Sequence, residues 1–415
     1  MGLSQGLDAE FADVLNGWHD LEQSLGGGVI VDFNLSIWQS RRPFKDREEV
    51  LKTLTSILET PDAQSDRLFF QRVFGLRAYL QDVMNERTTP INEYLPATMG
   101  FKLVPFSQTE IIDELRAQAT ESLAKVGVDF NDALKGLAAV SGQILVDDIP
   151  SWFKRHFHEA IKKTNRLFPM APDVPEPDVS FMEGKGLVRA SISGIGKQFS
   201  IKFNKEVVQE ASEESLEGTL KHEILGHAVQ AALWTDQIAA GEWPIHRGLT
   251  CMAGFEMFQM EALAEYSQIH YSEKDDLRIA VQDYNFYTRC VTNNFNFMLL
   301  SGEESRDAAK RYYMDHTPWR DEEFTERRVN HLTGTSMSRC YSPVYGPGHR
   351  LMIHAMETMP ESSRDSFMRA MYEGYMDAAD VYDLALRMGA KPLTQFEPAR
   401  PQEVQAIADK LELKA

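Results

Sequence analysis

Two histidines and a glutamate stand close together at His222, Glu223 and His227, in a stretch whose apolar spacing predicts a helix. Imidazole nitrogens are preferred zinc ligands, and a glutamate beside one of them is suited to take a proton from water. The usual helical arrangement has two residues between the glutamate and the second histidine, whereas this sequence has three. The group indicates a metal site with hydrolytic chemistry.

The extra residue matters because an α-helix turns about 100° per residue, so histidines five positions apart diverge by roughly 140°. Both can face one ion only if the helix widens locally. A π-bulge does this, and such bulges are frequent at functional sites. Gly226, directly before His227, is where we expect the distortion.

A third ligand is expected from the next helix, where Glu261 and Glu265 are four positions apart and share a face. We predict that Glu261 binds the ion and that Glu265 accepts the ring N–H of a ligand histidine, which fixes the orientation of that ring. Glu223 is then the general base. Two imidazoles and one carboxylate favour one Zn²⁺ per chain, with another divalent ion as the alternative.

The first motif is similar to the H-E-x-x-G-H motif of the dipeptidyl peptidase III family, which has the same one-residue insertion, and 261–265 is similar to its second motif. In layout, 185–390 more closely resembles a helical peptidase-like family, a domain of unknown function, with the motifs H-E-x-x-P-G-H-H-x-Q, E-G-W-A-x-Y and Y-x-x-G. The counterparts here are 222–230, 261–266 and 345–348. The resemblance implies a gluzincin-type zinc metallohydrolase with Glu261 as a zinc ligand.

Such enzymes place a tyrosine or histidine opposite the metal, where it donates a hydrogen bond to the oxyanion. The Y-x-x-G resemblance favours Tyr345 for this role, with His349 as the alternative. Both lie with Tyr341 and Arg350 around a Gly/Pro-rich turn that leads into a helix. Arg350 and the loop residue Arg247 are candidates for binding a substrate carboxylate, although a solvated cation is the simpler interpretation of Arg247.

The residues before the metal helix are expected to form an all-helical N-terminal region, 1–165, that carries no chemistry. Apolar spacing predicts helices over 7–25, 48–58, 66–84, 108–125, 130–140 and 151–165, and prolines at 90, 96 and 105 predict a loop. The proline-rich stretch 166–186 is predicted to be a stiff connector, because proline fixes φ and removes a donor.

After the connector, the spacing of apolar residues changes from a helical pattern to one typical of short strands. Stretches 187–192 and 199–203, joined by a glycine-containing turn, predict a β-hairpin. In gluzincin-type enzymes an edge strand beside the metal pairs with an extended substrate, and the second strand is the candidate here. Ser212 marks the start of the metal helix, which runs to about residue 240. Further helices are predicted over 254–271, 276–300, 304–315, 321–332, 349–358, 364–372 and 378–388.

The composition narrows the class of protein. The chain has 415 residues and a formal net charge of −19, which argues against nucleic acid or an anionic membrane as a partner. No apolar run approaches the ~20 residues of a membrane span. Three cysteines give no disulfide framework and, with no visible secretory signal, favour a cytoplasmic location.

We therefore predict a mainly α metallohydrolase with a small β-hairpin or sheet next to the metal helix. Its core is 187–390, and 391–415 is a C-terminal tail packed on or near that core. The expected reaction is zinc-dependent cleavage of an amide, most simply a peptide bond, in a small substrate. The sequence departs from the family pattern at Ala228, Ala262 and Leu263, which keeps two alternatives open. These are a pathway-specific enzyme acting on a non-peptide amide or ester, and a non-catalytic binding protein that retains the fold.

Overall fold

The computed structural model describes residues 3–106, 109–168, 173–183, 188–208 and 212–412. Within these residues, the predicted mainly helical architecture with a small sheet is confirmed. None of the helices in these ranges combines the length and the apolar character needed to cross a membrane.

Eight α-helices precede the connector in the described residues. They are α1 Gln5–Ser24, α2 Arg47–Leu58, α3 Pro61–Ser65, α4 Arg67–Met84, α5 Ile91–Thr98, α6 Thr109–Lys125, α7 Ala133–Ser141 and α8 Ile149–Lys162. Acidic N-caps begin two of them, since the carboxylates of Asp46 and Asp66 accept hydrogen bonds from the backbone N–H groups of Glu49 and Phe69, each at 3.0 Å. These caps explain why the predicted starts of α2 and α4 lie within a residue of the observed ones.

The loop predicted from the prolines is wrong in its first part, because α5 contains Pro96 and begins directly after Pro90. A proline before the first turn costs no intrahelical hydrogen bond. Tyr94 and Leu95 are fully buried in the core, and this burial favours the helix over the extended chain that the prolines suggest.

Seven short strands lie in the described residues. They are β1 Val31–Asn34, β2 Phe101–Lys102, β3 Asp178–Met182, β4 Ala190–Ile195, β5 Gln198–Asn204, β6 Leu249–Cys251 and β7 Glu397–Pro398. Five of them form one mixed sheet in the order β3-β5-β4-β1-β6, and β2 pairs with β7. Because β1 pairs with β4 and β6, the expectation of an all-helical N-terminal region is wrong. This short strand is held by distant partners, which no local pattern reveals.

The predicted hairpin is confirmed, with β4 and β5 antiparallel from Ala190 opposite Phe203 to Ile195 opposite Gln198. Position 187, where the first strand was expected to start, lies outside the described residues. The prediction that β5 is an edge strand is wrong, because β3 pairs with it in parallel. The edges of the sheet are β3 and β6.

Twelve further α-helices follow in the part of the chain that the structure describes. They are α9 Lys205–Val208, α10 Glu213–Leu220, α11 Val229–Ala239, α12 Glu256–His270, α13 Asp276–Ser301, α14 Arg306–His316, α15 Glu322–Gly334, α16 Ser336–Tyr341, α17 Tyr345–Thr358, α18 Glu361–Glu373, α19 Ala378–Arg387 and α20 Pro401–Glu412. The metal helix begins as predicted at Ser212, whose hydroxyl accepts from the backbone N–H of Ser215 at 3.1 Å.

A large hydrophobic core joins elements from the whole chain. Phe11 of α1, Phe33 of β1, Phe203 of β5 and Val404 of α20 all belong to it. A second cluster packs α6 and α7 against α13 and α14. The proposed segment boundaries stay predictions, and part of the connector lies outside the described residues.

Candidate metal centre

The helix that carries the two histidines widens where the extra residue required it. Lys221–Ala228 is a π-helix between α10 and α11, which confirms the predicted distortion. A π-helix bonds residues five apart, so side chains at this spacing become neighbours. The Nε2 atoms of His222 and His227 are 3.2 Å apart.

Gly226 lies within the widened segment, as expected, and it also has a packing role. A Cβ atom at this position would lie 2.5 Å from both Cα and Cβ of Ala264. The glycine therefore allows α12 to pack directly against the π-helix. This close approach brings Glu261, one turn before Ala264, to the histidine pair.

The three predicted ligands meet. Glu261 places Oε2 3.4 Å from Nε2 of His222, and its Oε1 lies 3.5 Å from Nε2 of His227. Zinc with bonds of about 2.0–2.1 Å in tetrahedral geometry separates its ligands by about 3.3 Å. The spacing of these atoms fits that requirement, and the three side chains could hold a metal ion.

Two buried polar atoms at the same place lack a hydrogen-bond partner among the described residues. Oε2 of Glu261 and Nδ1 of His227 form no hydrogen bond within the described residues. An unsatisfied buried polar atom costs about 1–3 kcal/mol, and more when the group is charged. A cation at the cluster would satisfy the carboxylate oxygen, so the donor set fits a divalent ion.

The charge states of two of the ligands suit metal binding. Burial opposes ionisation of Glu261, but the histidines and the Tyr341 hydroxyl outweigh it and lower the pKa to about 2. Burial lowers the pKa of His227 to about 4, so this imidazole is neutral at pH 7. Metal ligands must be a carboxylate and a neutral imidazole, which is what these two groups provide.

The third ligand and the candidate base are shifted upward. Burial lowers the pKa of His222, but Glu261 and Glu223 outweigh it and raise the pKa to about 9, so a binding cation would displace a proton here. Burial raises the pKa of Glu223 to about 7, with His222 opposing and Glu261 adding to the rise. A carboxyl poised near neutrality can accept and release a proton.

Glu265 lies behind His222, with Oε1 3.5 Å from Nδ1 of the ring, and its role as acceptor of the ring N–H stays a prediction. The same nitrogen is 3.3 Å from the side-chain amide of Gln268. Arg289 of α13 holds Glu265 through two hydrogen bonds, of 3.0 and 2.7 Å. Burial raises the pKa of Glu265, but Arg289 outweighs it and the pKa is lowered. The sequence analysis missed Arg289, which belongs to no motif.

Tyr341, rather than Tyr345, reaches the ligand cluster. The Tyr341 hydroxyl donates to Oε1 of Glu261, and the Tyr345 hydroxyl donates to that of Tyr341 at 3.1 Å. The predicted Gly/Pro-rich turn is helical instead, because α16 passes through a short 3-10 segment into α17. Two residues four apart on this path share a face, so both tyrosines point toward α12.

The other predicted site residues lie at different distances from the cluster. His349 is buried behind Glu265, with its Nδ1 3.6 Å from Oε2 of that residue and no hydrogen bond from either ring nitrogen to the described residues. Arg247 is half-buried and packs 4.9 Å from the ring centroid of Tyr375. Arg350 packs 5.8 Å from the ring centroid of Phe286. Neither arginine is part of the ligand cluster.

One further carboxylate of the site comes from the N-terminal region. Asp32 of β1 is half-buried, and its pKa is raised to about 7 by burial and by the charges of Glu223 and Glu261. The expectation that this region carries no chemistry overlooked Asp32. No motif surrounds it, and only the pairing of β1 with β4 brings it to the metal helix.

No family model matches the chain, and no curated protein matches it. Among solved structures, the chain is similar to one described as the "putative lipoprotein from Colwellia psychrerythraea", with a TM-score of 0.50 and 15% sequence identity. The match covers 88% of this chain and 59% of that one, so this chain spans less than two thirds of that protein's length. This likeness shows a shared fold.

Proposed function

We propose that the protein is a zinc-dependent hydrolase that cleaves an amide bond, in the simplest case a peptide bond of a small substrate. The observation that carries the proposal is the convergence of His222, His227 and Glu261 at the spacing of a zinc ligand set. Glu223 is buried beside two of these ligands and has the charge state that a general base needs.

Bound zinc supplies Lewis-acid chemistry, since it polarises a carbonyl and lowers the pKa of water to about 7. Glu223 takes the proton of the attacking water and delivers it to the leaving nitrogen. Tyr341 holds the Glu261 carboxylate in place. Tyr341 is also better placed than Tyr345 or His349 to donate to the oxyanion, because its hydroxyl lies at the cluster, but its single proton would first have to leave Glu261.

A cytoplasmic location remains part of the proposal. Its support is that Cys251, Cys290 and Cys340 are all unpaired and buried. Free thiols are the usual state of cysteine in reducing compartments.

The first test is metal content by elemental analysis of the purified chain. We expect about one zinc per wild-type chain, as for a catalytic site with three protein ligands. His227→Ala should lose the zinc, and the exposed-histidine control His158→Ala should keep it. Wild type that takes up no zinc would contradict the proposal.

The second test is a substrate panel of short peptides, non-peptide amides and esters, assayed with wild type and Glu223→Gln. Removing a general base costs about 10²–10⁴-fold in kcat, and the variant should keep its zinc. Turnover of non-peptide substrates alone would favour the pathway-specific enzyme. A panel without turnover, with zinc bound, would favour the binding protein.

A further inference from the structure

Two arginines near the metal centre lack an acidic partner among the described residues. Arg189 lies just before β4 and is exposed, and its Nη1 donates to the backbone oxygen of Ser215 at 3.4 Å. Arg320 lies just before α15, with its guanidinium 4.0 Å from the ring centroid of Phe324. Neither contact neutralises the charge of the arginine.

Helix α13 shows where these arginines lie relative to the metal. At its start, Arg278 binds Glu217 of α10 at 2.9 Å, so α13 runs past the helix that Arg189 contacts. Farther along, Arg289 binds Glu265, which lies behind His222. Tyr284 lies between these two points, about 7.5 Å along the helix from Arg289.

Both arginines approach α13 at Tyr284. The ring of Trp319, next to Arg320 in sequence, packs on Tyr284 with centroids 5.1 Å apart. Burial raises the pKa of Tyr284 to about 12, and the nearby positive charges of Arg320 and Arg189 oppose that rise. Arg189 and Arg320 therefore lie together beside the segment of α13 that leads to the metal centre.

The grouping is electrostatically unfavourable without an anion. Burial of the guanidinium lowers the pKa of Arg189, the positive charges of Arg289 and Arg320 lower it further, and Tyr284 and Glu265 offset only part of this effect. Arg289 is already held by Glu265 and remains 35% exposed. Like charges this close repel one another, and here they gather in a chain whose net charge is −19. A bound anion would remove the repulsion.

We propose that Arg189 and Arg320 bind a carboxylate of the substrate and so orient a short peptide across the metal centre, an inference that rests on the proposed hydrolase function. Guanidinium groups present paired donors that match a carboxylate. The carboxylate belongs either to the C-terminus of the peptide or to an acidic side chain near the cleaved bond. Arg289 acts as a positioning residue, because two of its hydrogen bonds hold Glu265.

The test compares zinc-loaded wild type, Arg189→Gln, Arg320→Gln and a control, Arg41→Gln, which alters an exposed ion pair with Asp20. The peptides are N-acetylated and come as free C-terminal acids and as amides, each with a Glu or a Gln in the variable position. Zinc content checks that the site is intact. A charged hydrogen bond of about 1.5–3 kcal/mol corresponds to a preference of about 10–100-fold in kcat/KM.

We expect wild type and Arg41→Gln to have a kcat/KM about 10–100-fold higher for the peptides that carry the recognised carboxylate, because KM is lower for these peptides. In Arg189→Gln and Arg320→Gln, the ratio of kcat/KM with and without that carboxylate should fall toward one. A preference between acid and amide identifies the C-terminus, and a preference between Glu and Gln identifies a side chain. Equal losses on all four peptides, or wild type without any preference, would overturn the inference.

Binding separates this inference from the proposed function. The same peptides are titrated calorimetrically into zinc-loaded Glu223→Gln, with and without Arg189→Gln or Arg320→Gln. If wild type cleaves none of the peptides but the arginines still determine the affinity for the carboxylate, the hydrolase proposal fails and the anion site stands. Carboxylate affinity that is independent of both arginines means that the site is wrong, whatever the activity.

Discussion

At the scale of single residues, the two buried carboxyl groups of Glu261 and Glu223 differ in pKa and therefore in charge state. Glu261 touches both histidines and accepts from Tyr341, which keeps its pKa at about 2. Glu223 has only His222 to oppose its burial, and its pKa is about 7. A permanently ionised group suits a ligand, and a group near neutrality suits a base. This difference supports the roles proposed from sequence for the two glutamates.

Tyr341→Phe tests whether the Tyr341 hydroxyl helps Glu261 to bind zinc. Loss of the hydroxyl removes the hydrogen bond to Glu261, and such losses behind a metal ligand typically weaken metal binding about 10–100-fold. The measurement is zinc affinity by competition with a chelator. Tyr345→Phe is the matched control and should have a smaller effect, because the Tyr345 hydroxyl donates to Tyr341 and not to Glu261. Equal zinc affinity in wild type and Tyr341→Phe would contradict the proposed support.

At the scale of elements, the site depends on two helices that touch almost backbone to backbone. The π-helix turns His222 and His227 toward one point, and α12 presents Glu261 to it. Gly226 permits this, because any side chain there would meet Ala264. The widened helix and the close packing are therefore two parts of one arrangement.

Gly226→Ala should disrupt this packing. The new Cβ would lie 2.5 Å from atoms of Ala264, and overpacking of this kind costs about 1–3 kcal/mol in the free energy of unfolding. We expect lower stability in urea and a reduced zinc content, since α12 must move away with its glutamate. Gly334→Ala is the control, because that glycine has open space around it at the end of α15. Full zinc content in Gly226→Ala would show that the close approach is dispensable.

At the scale of the whole molecule, the N-terminal helix is tied to the segment between the metal helices. The Asp8 carboxylate accepts hydrogen bonds from the backbone N–H groups of Ile245 and His246 and from Nδ1 of His246, each at 2.8 Å. Nearby, Arg72 of α4 forms a buried ion pair of 2.8 Å with Glu256, the first residue of α12. The N-terminal region thus anchors the helix that carries Glu261, the candidate carboxylate ligand.

This anchoring makes stability depend on pH. Burial lowers the pKa of His246 to about 4, whereas an unfolded histidine titrates near about 6.5. Between these values the unfolded chain binds more protons, so the free energy of unfolding falls as the pH falls, by up to about 3 kcal/mol for this residue. Urea denaturation at pH 7.5, 5.5 and 4.5 measures the slope. His246→Gln should flatten it and exposed His158→Gln should not; an unchanged slope in His246→Gln would place the acid sensitivity elsewhere.

Sequence reasoning succeeded where a single element carries the information. The hairpin of β4 and β5, the start of the metal helix at Ser212 and the π-helix all follow from local spacing. It failed where elements meet. β5 is covered by β3, Tyr341 rather than Tyr345 donates to Glu261, and Arg247 packs on Tyr375.

The sequence by itself indicated the candidate ligands, because helical spacing relates His222 to His227, and Glu261 to Glu265, within each element. The packing of α12 on the π-helix decided that the two pairs meet. Only the tertiary structure decided what surrounds that set. Strand pairing places Asp32 beside the metal helix, and the packing of α13 places Arg289 beside Glu265. Contacts between distant segments depend on how whole elements bury their apolar faces, and the spacing of residues within one element carries no record of that packing.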